Sequence, residues 1–89
     1  MKRNDFENMK ESLQKQVGIW KIVTGEKSSS DFVLGCFYDL KDNKWKVYIN
    51  NEKGRQRIRL QTDSEDIAFD RLLSMVEFEI ENNKYNRTV

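Results

Sequence analysis

The sequence predicts an α+β fold. A four-stranded antiparallel sheet, running as a meander, has one helix before it and one after it, in the order α-β-β-β-β-α. Three observations lead there. In KWKVYIN, residues 44–50, Trp45, Val47 and Ile49 alternate with Lys44, Lys46, Tyr48 and Asn50, the period-two pattern of a half-buried strand. Residues 50–54 supply turn chemistry, with Gly54 free to take a positive φ, and a return strand follows over 55–61. In that strand Ile58 and Leu60 are expected inward, and Arg55, Arg57, Arg59 and Gln61 outward. Finally, Thr62-Asp-Ser-Glu65 reads as a capping box that opens a helix, with Thr62 as N-cap.

The remaining elements follow in chain order. Residues 5–17 read as a helix whose apolar stripe is Phe6, Met9, Leu13 and Val17, stopped by Gly18 in a left-handed C′ position. IWKIVT, residues 19–24, is β-branched and aromatic, hence a strand, and GEKSSS after it reads as a mobile loop. Residues 31–40 form the most apolar strand, with Phe32, Leu34, Cys36, Tyr38 and Leu40 facing one way and Val33, Gly35 and Phe37 the other. Apolar residues on both sides imply a central strand covered twice, or one face left for a partner. From about 63 to 80, Ala68, Phe69, Leu72, Leu73, Met75, Val76 and Ile80 make a wide core face, and residues 81–89 read as a frayed polar tail.

Composition limits what such a chain does. Its 89 residues allow a single domain over 1–89, and 11% aromatic content argues against disorder. One cysteine excludes an intramolecular disulfide, and no apolar run reaches the length of a membrane span, so a reducing cytoplasm is the expected compartment. There is no histidine, which removes the usual general base and the commonest metal ligand. Cys36, mid-strand in an apolar run, reads as a structural thiol, and the four glycines form no phosphate-binding motif. The expectation is a non-enzymatic protein without metal or cofactor, monomeric or homodimeric.

Charge is placed more tellingly than its net value of +1. Residues 41–61 carry seven bases against two acids, and residues 62–82 carry seven acids against Arg71 alone. Solubility and local ion pairing explain such a division without function, at roughly 0–1 kcal/mol per exposed pair. Two functional readings stand beside that one, and an accessory, scaffolding subunit is a third. In the first, Asp66, Asp70 and Glu77 line one flank of the last helix and meet a basic protein surface, with Ile67 and Phe78 as apolar anchors. In the second, Arg55, Arg57 and Arg59, with Lys46, form a basic binding face for nucleic acid. Arginines about 7 Å apart on one strand face would track phosphates, and Tyr48 or Trp45 would stack on bases if exposed.

Trp45, Val47 and Tyr48, the turn Glu52-Lys53-Gly54, and Ser64, Glu65 and Ala68 together resemble a known pattern. The run is similar to the C-terminal half of small bacterial immunity proteins of polymorphic and contact-dependent growth-inhibition toxin systems. Those show a Trp-x-Val-Tyr strand, an E-[KR]-G turn, a further strand and a Ser-Glu-x-x-Ala helix. The resemblance implies a cytoplasmic antitoxin that binds the C-terminal domain of a cognate toxin, a nuclease with a basic cleft that an acidic helix would cover. Topology also resembles the double-stranded-RNA-binding domain. That family, however, uses lysines at the start of its last helix, where this chain reads TDSEDIAFD.

Overall fold

A computed structural model describes residues 1–87. Helix α1 (Arg3–Gln14) precedes strands β1 (Lys21–Thr24), β2 (Val33–Asp39), β3 (Lys44–Asn50) and β4 (Gln56–Thr62), and helix α2 (Glu65–Arg87) follows them. The class is α+β with spatial strand order β1-β2-β3-β4. Among the described residues no helix is long and apolar enough to cross a membrane.

The sheet is mixed, not the antiparallel meander expected. β1 runs parallel to β2, with Lys21 opposite Val33 and Thr24 opposite Cys36, while β2–β3 and β3–β4 are antiparallel. Parallel neighbours require the chain to return along the sheet. Here β1 is only four residues, about 13 Å long, and the segment 25–32 can reach up to about 28 Å. That segment is no free loop. Tyr48 Oη donates to Glu26 O at 2.9 Å and accepts from Ser28 N at 2.9 Å. Asn50 Nδ2 donates to Ser28 O at 2.7 Å and to Ser30 O at 2.9 Å, and Gln56 Nε2 donates to Asn50 Oδ1 at 2.9 Å. Asn50 is fully buried and both ends of its amide are satisfied.

The two sides of the sheet therefore differ. Leu34, Cys36, Trp45 and Val47 face the helices, where they pack with Phe6, Leu13, Phe69, Leu72 and Val76. The Phe69 ring lies 5.5 Å from Phe6 and 5.7 Å from Trp45, and the Arg3 guanidinium sits 5.9 Å from both the Trp45 and Phe69 rings. Val33, Gly35, Tyr48 and Asn50 face the crossing segment instead. Apolar residues on both sides of β2 are thus covered twice, by helices and by a strap of backbone.

Several local boundaries move. α1 ends at Gln14, with Lys15 as its C-cap, so Gly18 (φ 66) takes its left-handed conformation beyond the helix rather than at C′. Gln14 earns that ending: its Nε2 donates to Trp20 O at 2.6 Å and its Oε1 accepts from Ile22 N at 2.8 Å, tying α1 to β1. Met9, expected in the apolar stripe, is exposed, while Phe6, Leu13 and Val17 are buried. The positive φ of the β3–β4 turn falls on Lys53 (φ 64). Ser64, not Thr62, caps α2: its Oγ accepts from Ile67 N at 3.2 Å, while Thr62 closes β4 opposite Trp45. α2 continues to Arg87, so the stretch expected to fray from residue 81 is helical as far as that residue, and residues 88–89 lie outside the described part.

Candidate functional site

The outer surface of α2 collects most of the predicted binding residues. At about 100° per residue, Asp66, Asp70 and Glu77 fall within about 40° of one another, and all three are exposed. Ile67, Arg71, Ser74 and Phe78 form the adjoining stripe. Ile67 is 52% exposed and Phe78 63%, so neither rests on α1. An isolated exposed apolar residue is ordinary, whereas here two share one stripe beside three carboxylates, an amphipathic exposed surface. The acidic flank is partly neutralised at one point, where the amino terminus of Met1 forms an ion pair with Asp70.

The basic face is not assembled as expected. The β3–β4 register shifts between Val47 and Tyr48: Leu60 pairs with Val47, Ile58 with Tyr48, and Arg57 with Ile49. Arg59 is the extra residue of a β-bulge. Because side chains alternate with period two, this one-residue slip exchanges the faces of everything before it. Ile58, expected inward, pairs with Tyr48 away from the helices and is 41% exposed. Arg57, expected outward, pairs with Ile49 on the helix side. Arg55 precedes the strand, and Lys46 is held on the opposite face by Asp39 at 2.8 Å and by Asp42. That pairing raises the affinity of Lys46 for its proton and holds the Asp39 carboxyl below the usual carboxylate range. The arginines do not form the outward row expected: Arg57 is turned to the helix side, with Arg55 and Arg59 adjoining it, and Trp45 and Tyr48 are buried, so neither ring is open for stacking.

The bulge builds something the linear pattern did not announce. Arg57 and Arg59 line a groove of about 360 Å³ between β4 and α2, where they meet Arg71 from the helix. Leu34, Ile49, Met75 and Phe78 supply its apolar surface. Among the described residues none of the three arginines takes part in an ion pair. Glu79 also lines the groove. Burial raises its pKa, opposed by hydrogen bonds from the Trp20 and Asn82 side chains. Leaving Ile58 on the open side forgoes part of the roughly 1.5–3 kcal/mol that its full burial would contribute.

Cys36 is fully buried, and its thiol is pushed up to about 12, chiefly by that burial. A thiol so protonated is a packing group, not a nucleophile. Among the described residues no cluster of three or more Cys, Asp or Glu side chains is arranged to hold a metal ion. Comparison with known protein families, with characterised proteins and with solved structures gives no match.

Proposed function

We propose that this protein is a non-catalytic, protein-binding inhibitor of the immunity-protein kind, which engages its partner through the outer surface of α2. The observation that carries this reading is the exposed Ile67/Phe78 stripe lying beside the Asp66/Asp70/Glu77 flank. Such a surface combines apolar anchors, which supply affinity when desolvated, with carboxylates that steer a basic partner. The resemblance of residues 44–76 to immunity proteins supports one class of partner in this reading: the C-terminal domain of a toxin whose cleft binds a polyanionic substrate. A helix presenting carboxylates on one flank would occupy such a cleft in place of phosphates, and an inhibitor of this kind needs no catalytic group, metal or cofactor of its own.

The test is capture of the partner from the native cells with tagged wild-type protein and with a variant carrying Asp66→Lys, Asp70→Lys and Glu77→Lys. A stoichiometric toxin domain retained by the wild type, with association slowed by salt and lost in the variant, is the expected result. Equal affinity of the two proteins for that domain would place the interface elsewhere and sink the reading.

A further inference from the structure

The bulge at Arg59 places Gln56 opposite Asn50, where its amide donates to Asn50 Oδ1 and to Ser28 O on the far face of the sheet. It turns an isoleucine out and brings an arginine over the helix side of the sheet, beside Leu34 and Ile49. Protection of an exposed sheet edge would explain one charged residue on β4. It does not explain Arg57 on the helix side, nor Arg71 on a different element lining the same groove. Bulges of this sort commonly re-aim side chains at binding sites.

We propose that the groove between β4 and α2 binds a small amphipathic oxyanion, whose carboxylate or phosphate head meets Arg57, Arg59 and Arg71 and whose apolar body lies on Ile49, Met75 and Phe78. Guanidinium groups match planar and tetrahedral oxyanions with paired hydrogen bonds. The volume of about 360 Å³ lies at the lower end for small-molecule sites, which are mostly apolar with a few placed polar groups. A long polyanion fits poorly. Beyond the groove Arg55 and Lys53 adjoin Arg57 beside the carboxylate of Glu52, Lys46 is tied to Asp39 and Asp42 on the other face, and the carboxylates of Asp66, Asp70 and Glu77 run beside the Ile67/Phe78 stripe. Phe78 is shared with the surface proposed for the protein partner, whereas Arg57, Arg59 and Met75 lie outside that surface.

Titration of the isolated protein with octyl phosphate and with octanoate, below their micellar concentrations, tests it by calorimetry and amide chemical shifts. Saturable one-to-one binding of both is expected, tighter for the phosphate dianion if it is the natural head group and tighter for octanoate if a carboxylate is. Shifts should centre on Arg57, Arg59, Arg71 and Met75. Octan-1-ol, octylammonium and inorganic phosphate alone should each bind at least about tenfold more weakly. Arg57→Gln and Arg71→Gln, both at exposed positions with little bearing on folding, should each weaken octyl phosphate by about tenfold. Equal binding of octan-1-ol, equal binding of inorganic phosphate, or unchanged binding by both variants would overturn the proposal. So would a short RNA that binds the same residues more tightly than octyl phosphate, which would assign the groove to nucleic acid.

Discussion

Tyr48 lies across Gly35. The two residues are opposite one another on β3 and β2, and a Cβ on Gly35 would stand 2.5 Å from Tyr48 Oη and 2.7 Å from its Cε1. The ring has little room to yield, because its hydroxyl bonds the crossing segment at Glu26 and Ser28 and its edge meets Phe37 at 5.7 Å. Gly35→Ala is therefore expected to cost about 1–3 kcal/mol, through overpacking and displaced hydrogen bonds. Urea unfolding measures it. A midpoint and slope equal to wild type would show that the ring moves freely.

Asn50 should hold the crossing segment more than it holds the fold as a whole. Asn50→Leu removes both donated bonds and the one accepted from Gln56, leaving Ser30 O without its side-chain partner and Ser28 O with Gln56 Nε2 alone at 3.2 Å. Loss of about 1–3 kcal/mol is expected from the unpaired groups. Amide exchange should quicken first over residues 26–31, ahead of β3. Exchange that rises evenly along the chain would mean the segment does not depend on Asn50.

Cys36 gives a pH signature. Its thiol is pushed from 9.0 to about 12 in the folded protein, and burial also raises the Tyr48 phenol. A group whose pKa is raised on folding contributes stability that is complete below its unfolded value and is lost as pH rises towards the folded one. Stability should thus fall between about pH 9 and 12, and Cys36→Ala should flatten part of that fall. A disulfide reagent at pH 8 should label native Cys36 only as fast as the protein opens. Prompt labelling without unfolding would contradict the burial.

Trp45 is a core residue, 8% exposed, in contact with both Tyr38 at 5.5 Å and Phe69 at 5.7 Å. Trp45→Ala is expected to lose roughly 3–5 kcal/mol. Thermal unfolding of the variant checks this. A variant with wild-type stability that had lost only partner binding would place Trp45 at an interface.

By itself the sequence determined the class of fold, the number and order of the elements, and the two contrasting stripes on the exposed side of α2. Those are local facts. The alternation in KWKVYIN, the helical spacing of Phe69, Leu72, Val76 and Ile80, and the clustering of Asp66, Asp70 and Glu77 need only neighbours within a few residues. What only the tertiary structure decided was direction and register. The parallel pairing of β1 with β2 depends on Tyr48 and Asn50, more than twenty residues downstream of Glu26 and Ser28, accepting the segment between those strands. The face of Arg57 depends on a bulge opposite Val47 and Tyr48, and a slip of one residue exchanges two faces without changing any local preference. For that reason Arg55, Arg57 and Arg59 looked like one row, Arg71 was left out of account, and the groove that gathers three arginines could not be read along the chain.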